Sequence, residues 1–146
     1  MRLRLALFLV VSAALAAVDL LVDARVPAAS WEFHHRTSTW IVLASLFLAG
    51  LALLALLPSL TCAVAAGIVA GGVLGSLVSA AMHGGGVADP LVAGGTAFNL
   101  GDVFVVVGLP LLMVPTAATA IRHRDAIDRR IPPRRWEHHV RRKLGL

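Results

Sequence analysis

The sequence predicts an all-α membrane protein with four transmembrane helices and both termini in the cytoplasm. Of its 146 residues, 58% are hydrophobic and only 14% are charged, which is too little charge to cover the surface of a soluble domain of this length. Lys and Arg concentrate near the two ends of the chain, and this distribution predicts the orientation. The length is enough for one domain rather than two.

Four apolar runs account for most of the chain: residues 5–22, 40–57, 61–82 and 97–121. Each run has 18 to 25 residues, enough to cross about 30 Å of hydrocarbon as an α-helix. Helices are the expected form because backbone polar groups find no water inside a lipid bilayer. Pro58 and Ser59 separate the second run from the third and predict a tight turn. Residues 1–121 therefore form one transmembrane domain.

The basic residues indicate which side of the membrane each end occupies. Eleven of the 13 Lys and Arg lie in the opening MRLR or from Arg122 onward, and the loop between the third and fourth runs has none. Four spans place both ends on one side, which the positive-inside rule makes the cytoplasm. Residues 122–146 are then a basic cytoplasmic tail facing anionic lipid headgroups, rather than a nucleic-acid-binding segment. The loops 23–39 and 83–95 face outward.

The first run has a second interpretation. It has a basic start, an apolar middle and small residues near Ala14 and Ala16, which is also typical of a cleavable secretory signal. A retained helix is favoured because the run is longer than most signal cores. Cleavage would leave three spans and the same cytoplasmic C terminus, so the charge distribution does not separate the two interpretations.

Two acids, Asp89 and Asp102, lie beside the fourth run. One short loop joins the ends of the third and fourth spans, so these side chains are expected close together. No Lys or Arg lies between Arg36 and Arg122 to neutralise them. Two neighbouring carboxyl groups push their pKa values apart, so that one holds a proton while the other is ionised. Aspartic proteases activate water with this arrangement.

Each acid also has a structural interpretation. Asp89 precedes Pro90 and would stabilise a turn, while Asp102 would cap the fourth helix together with Asn99. Asp19, near the end of the first run, is explained equally well by solvation at the membrane interface. The residues alone leave these alternatives open.

Other polar side chains favour structural roles. A metal site at His34, His35 and His83 would need a carboxylate or Cys at ligand-like spacing; none is present, so these are interpreted as solvated loop histidines. Ser76 and Ser79 have no Lys partner in any span and are interpreted as helix-packing residues rather than nucleophiles.

The third run also carries closely spaced small residues. Its glycines recur at four-residue intervals and permit close contact between helices: Gly67, Gly71 and Gly75, with Gly72 beside them. Trp31 and Trp40 bracket the entry to the second run and are predicted to anchor it at the membrane interface.

Three motifs then occur in order: GGVLGS at 71–76, HGGGVAD at 83–89 and FNLGD at 98–102. They resemble the lipoprotein signal peptidase family, also called signal peptidase II. That family carries GG-x-x-GN-x-x-DR on its third span, a G-x-VVD segment, and FN-x-AD at the start of its fourth span. The resemblance covers about residues 15–115, and FNLGDVFVVVG is its most specific part.

The resemblance implies a membrane aspartic endopeptidase that uses no metal or other cofactor. The family cleaves signal peptides of bacterial prolipoproteins before a Cys that bears a diacylglyceryl group, so the implied partners are these lipid-modified substrates and membrane lipids. The family's two catalytic carboxylates match Asp89 and Asp102. Asn99 matches an Asn that helps to position substrate and dyad, and Asp19 matches an acid near the end of the first span. Both are therefore expected to bind substrate.

The sequence also departs from the family pattern. Ser76 replaces the Asn of GN-x-x-DR, and Ser79 and Ala80 replace its Asp-Arg pair. Such residues normally orient catalytic groups. Two functions therefore remain: a divergent active peptidase, or a non-catalytic homologue that binds lipid or lipoprotein or serves as a scaffold subunit. A transporter is disfavoured because the four short spans contain no pair of broken helices.

Overall fold

The computed structural model describes residues 1–27 and 32–124. Four helices correspond to the four predicted apolar runs: α1 (Arg2–Asp23), α2 (Ser38–Leu54), α3 (Leu60–Met82) and α4 (Leu100–Arg122). Helices α1, α3 and α4 are each long and apolar enough to cross a membrane, while α2 is apolar but shorter, at 17 residues. The prediction of a mostly helical membrane protein is confirmed.

Helix α3 is the centre of the bundle, since it packs against α1, α2 and α4. The apolar core forms around Val69 and Ala70 of α3, with Phe8 of α1, Leu51 of α2 and Leu112 of α4. Large apolar side chains on the outward faces of the other three helices stay exposed. Lipid would cover those faces, whereas in water they would form a large exposed apolar surface.

Glycines let the neighbouring helices approach α3 closely, as their spacing predicts. A Cβ added at Gly67 or Gly71 would lie 3.0 or 2.7 Å from side-chain carbons of α1. Gly72 faces α4 instead, where an added Cβ would collide with the carbonyl oxygen of Gly101. Helix α3 therefore touches α1 with one glycine face and α4 with another.

The turn between α2 and α3 is closed by side-chain hydrogen bonds. Ser59 caps α3 by accepting from the backbone N–H of Cys62 at 3.2 Å. Arg4, near the start of α1, donates to the carbonyl oxygen of Leu56 at 3.1 Å and to that of Leu57. The beginning of α1 and this turn thus lie at one end of the bundle. We call the opposite end, where α1 and α3 finish and α4 begins, the acid end.

Short strands at the acid end correct the prediction of an all-α chain with irregular loops. Strands β1 (Glu32–His35) and β2 (Gly86–Asp89) pair antiparallel, and β3 (Leu91–Ala93) pairs with β4 (Thr96–Phe98). Each strand has only three or four residues, too few for a clear period-2 alternation in the sequence.

The hairpin between β3 and β4 turns at Gly94 and Gly95. Both have positive φ, +60° and +81°, a conformation that favours glycine in tight hairpins. Because residues 97 and 98 belong to β4, helix α4 begins at Leu100 and not at residue 97 as predicted.

Two sequence predictions fall largely outside the described residues. Trp31 and all of the tail beyond Arg124 belong to that part of the chain. Trp40 is described, and the guanidinium carbon of Arg36 lies 4.9 Å from its ring centre. This is cation–π geometry.

Replacing Gly72 with Ala should weaken the bundle. The new methyl group would collide with the backbone of α4, so the free energy of unfolding should fall by about 1–3 kcal/mol. The measurement is the thermal unfolding midpoint in detergent. Gly50→Ala is the matched control because a Cβ there meets nothing within 4 Å; it should be neutral or stabilising by about 0.5–1 kcal/mol. Equal midpoints for the two variants would contradict the close approach of α3 and α4.

Candidate functional site

Asp89 reaches its position through a glycine turn and a short buried strand. Gly84 and Gly85 have φ values of +62° and +95° and lead the chain from α3 into β2. The backbone N–H of Ala88 then donates to Ser79 Oγ at 3.1 Å, which ties β2 to α3. Ser79 therefore has a structural role, although it anchors a strand, whereas the sequence predicted helix packing. The Asp89 side chain at the end of the strand is only 2% exposed.

Asn99 connects Asp89 with Asp102. Its side-chain Oδ1 accepts from the backbone N–H of Asp102 at 2.8 Å, and its own backbone N–H donates to Asp102 Oδ2 at 3.3 Å. The Asn99 amide nitrogen donates to Asp89 Oδ1 at 3.2 Å. The predicted cap of the fourth helix is therefore present as a capping box, and the same Asn also holds the second acid.

Asp19 joins this group from α1. Its Oδ1 accepts from the backbone N–H of Gly101 at 2.7 Å, in the first turn of α4. The residue is fully buried, so the interpretation as an interfacial, solvated acid is wrong. Gly75 makes room for it, since a Cβ there would collide with the carboxylate. Within residues 1–27 and 32–124, Oδ2 of Asp19 has no hydrogen-bond partner.

Asp23 is a further buried acid that belongs to none of the sequence motifs. It is 4% exposed, and neither carboxylate oxygen has a hydrogen-bond partner in the described part of the chain. Asp23 follows Asp19 by four residues, which places both on one face of α1. That spacing is the sequence signal that could have identified it.

His34 contacts Asp89 across the strand pair. The register sets Glu32 opposite Asp89 and His34 opposite Val87. Because alternate residues of a strand share a face, His34 lies diagonal to Asp89 on that face. Its Nδ1 contacts Asp89 Oδ2, while its side chain stays 52% exposed. His34 is therefore exposed to solvent, as expected, but it lies in a strand and contacts an acid instead of standing alone in a loop.

Opposing effects act on the charge of Asp89. Burial raises the pKa of its carboxyl most strongly, and the hydrogen bond from His34 opposes that rise. The negative charge of Asp102 raises the pKa further, whereas the positive charge of Arg36 lowers it. The net result is a pKa above the ordinary value of an Asp, so Asp89 keeps a proton more readily than an exposed Asp does.

The remaining histidines lie apart from this contact. His35 is exposed on the opposite face of β1, and the ring of His83 lies 5.4 Å from that of Phe33. Among residues 1–27 and 32–124, no group of three His, Cys, Asp or Glu side chains is placed to hold a metal ion.

A cavity of about 420 Å³ opens onto Asp102 between α2, α3 and α4. Its walls are mostly apolar, and Arg36, Trp40 and Ser76 also line it. A larger cavity of about 680 Å³ lies at the other end of α3 and α4, and its lining residues include no charged side chain. The smaller cavity is therefore the one that combines apolar surface with one of the two candidate acids, Asp102.

Comparisons with known proteins identify the family and the fold of this chain. The chain matches the family described as signal peptidase (SPase) II over residues 20–118. Its fold is similar to that of a bacterial membrane enzyme solved by the in meso method at 2.3 Å resolution: the TM-score is 0.59 at 12% identity, over 76% of this chain and 87% of that one. No curated protein matches the sequence significantly. Because the family match spans more than half of the residues, including both Asp89 and Asp102, the chain belongs to the signal peptidase II family.

Proposed function

We propose that this protein is a membrane aspartic endopeptidase that cleaves signal peptides from diacylglyceryl-modified prolipoproteins. Family membership supports a role as a membrane protease in lipoprotein processing. The observation that carries the proposal is the hydrogen bonding of the Asn99 side chain, which contacts the Asp89 carboxylate and the backbone N–H of Asp102, next to a mostly apolar cavity that Asp102 lines. Asp89 and Asp102 are the catalytic pair, and Asn99 and Asp19 position substrate and acids.

The active site faces outward across the bacterial cytoplasmic membrane, and all four helices span it. The start of α1 and the end of α4 lie at the end of the bundle opposite the acids. Most Lys and Arg flank those two helix ends, and basic flanks favour the cytoplasmic side. The acids then meet substrates whose mature parts have already crossed the membrane.

The acid pair hydrolyses the peptide bond with one shared proton. The ionised Asp takes a proton from water as the water oxygen attacks the scissile carbonyl carbon, and the protonated Asp gives its proton to the carbonyl oxygen. The first Asp then returns its proton to the amide nitrogen while the C–N bond breaks. The second regains a proton from the new carboxyl group, so the pair is restored. The apolar cavity excludes bulk water and strengthens the electrostatic interactions.

One observation favours the alternative of a non-catalytic homologue. The capping box explains Asn99 and Asp102 as stabilisers of α4 without any reaction. Such a homologue would bind lipid or lipoprotein in the same cavity and would need neither acid ionised. The contact between Asn99 and Asp89, which a helix cap does not require, favours the peptidase.

Replacing either acid by its amide should abolish cleavage. Asp89→Asn and Asp102→Asn each remove a group that must exchange a proton, a contribution of about 10²–10⁴-fold. The measurement is the rate of cleavage of a diacylglyceryl-modified prolipoprotein by the purified protein in lipid. Asp128→Asn makes the same acid-to-amide change in the basic tail, away from all three motifs, and should keep the parental rate. Full activity in either Asp variant would contradict the catalytic role of that acid, whereas a folded parent that cleaves no such substrate would favour the non-catalytic homologue.

Two substitutions at Asn99 should separate capping from site geometry. Asn99→Ser keeps an oxygen that caps α4 but removes the amide donor to Asp89, so stability should stay near the parent while cleavage slows. Asn99→Ala removes both functions and should also lower stability by about 0.5–2 kcal/mol. Cleavage rates and thermal midpoints of the two variants test this. Normal cleavage by Asn99→Ser would show that Asn99 acts only as a cap.

A further inference from the structure

His34 provides the buried Asp89 with a connection to solvent. Asp89 is 2% exposed, whereas the side chain of His34 that contacts it is 52% exposed. The contact depends on strand register: β1 and β2 pair so that His34 shares a face with Asp89, and His35 lies on the other face. A shift of one residue would exchange the two histidines.

The two oxygens of Asp89 receive different partners. Oδ1 accepts from the neutral amide of Asn99 at 3.2 Å, and Oδ2 contacts Nδ1 of His34. Both contacts fix the position of the carboxylate, and the contact with His34 also opposes the rise in the pKa of Asp89 that burial causes.

Negative charge dominates the surroundings of Asp89. Besides His34 and the exposed His35 of β1, the charged and titratable groups at this end of the bundle are Asp19 and Asp23 of α1, Glu32 of β1, Arg36 after β1, His83 after α3 and Asp102 of α4. Burial and neighbouring acids both favour the protonated form of a carboxyl group. Arg36 opposes them from a distance, and His34 opposes them in direct contact.

We propose that His34 is a positioning residue of the acid pair: its ring fixes one carboxylate oxygen of Asp89 and offsets the cost of burying that charge, so that Asp89 can exchange a proton during the reaction. This inference rests on the proposed peptidase function. It extends that function because the chain then places a half-exposed imidazole beside one of its two acids. His34 acts through Asp89 and need not touch the substrate.

Removal of His34 should shift the pH dependence of cleavage. Without the imidazole, the pKa of Asp89 rises further, since burial and Asp102 are no longer opposed by direct contact. The limb of the pH profile that Asp89 controls therefore moves to higher pH. The direction of the shift does not depend on the role of Asp89. If Asp89 is the base, the acid limb moves to higher pH, and if Asp89 is the acid, the alkaline limb does.

The experiment compares kcat/KM across pH for the parent, His34→Gln, His34→Ala and His35→Gln in lipid. His34→Gln replaces the imidazole with a neutral amide of similar size. It serves as the second variant in case His34→Ala disrupts the pairing of β1 with β2. His35→Gln is the matched control on the opposite face of β1. We expect a shift to higher pH in both His34 variants and none in the control. Superimposable profiles for parent and His34 variants, or equal shifts at positions 34 and 35, would overturn the proposal.

A second measurement keeps this inference separate from the peptidase function. Carbon-13 NMR of labelled aspartate carboxyl groups, with the Asp89 signal assigned from Asp89→Asn, gives the titration midpoint of Asp89 without substrate. His34→Ala should raise that midpoint, and His35→Gln should not. If the midpoint is higher in His34→Ala than in the parent but the parent cleaves nothing, the role of His34 is supported and the peptidase function is contradicted. An unchanged midpoint would overturn the role of His34 whether or not the parent is active.

Discussion

The close approach of α3 to its two neighbouring helices is the constraint on which the rest of the structure depends. Gly72 lets the backbone of α4 reach that of α3, and Gly75 leaves room for the carboxylate of Asp19 on α1. Because both contacts occur at the acid end, Asp19 can accept the hydrogen bond from Gly101 at the start of α4. The geometry of the site therefore depends on the helix packing, because side chains at these glycines would separate the helices that carry the acids.

Buried negative charge is the second constraint. Asp19, Asp23 and Asp89 are each at most 4% exposed, and an isolated buried carboxylate is costly unless it is paired, hydrogen-bonded or protonated. Hydrogen bonds satisfy Asp89 on both oxygens and Asp19 on one. Folding on its own would not select a cluster of this kind, because apolar residues could fill the same volume at lower cost. A site that needs acids of different proton affinity gives the cluster a reason to exist.

Structure and proposed function share residues at the start of α4. Asn99 and Asp102 form a capping box that stabilises the helix, and the remaining amide hydrogen bond of Asn99 reaches Asp89. A helix terminus is a rigid place to hold a reacting group, since the backbone there is fixed by the helix behind it. The family's Asn and Asp-Arg positions are Ser76, Ser79 and Ala80 here. Ser79 now anchors β2 through its hydroxyl, so part of the support for Asp89 comes from a different side chain.

The sequence by itself determined the four helices, the glycine contacts along α3 and the cap at Asn99, because each depends on residues close together in the chain: apolar length, four-residue spacing and N-cap chemistry. The resemblance to the family also identified Asp89 and Asp102 as the candidate pair. Only the tertiary structure decided the contact of His34 with Asp89 and the burial of Asp23. The first depends on the register between β1 and β2, which lie some 50 residues apart in the chain, and the second on how α1 packs at the acid end. Strand register has no local sequence signature. The four-residue spacing of Asp23 from Asp19 shows that they share a face of α1, but whether that face is buried depends on segments that meet only after the chain has folded.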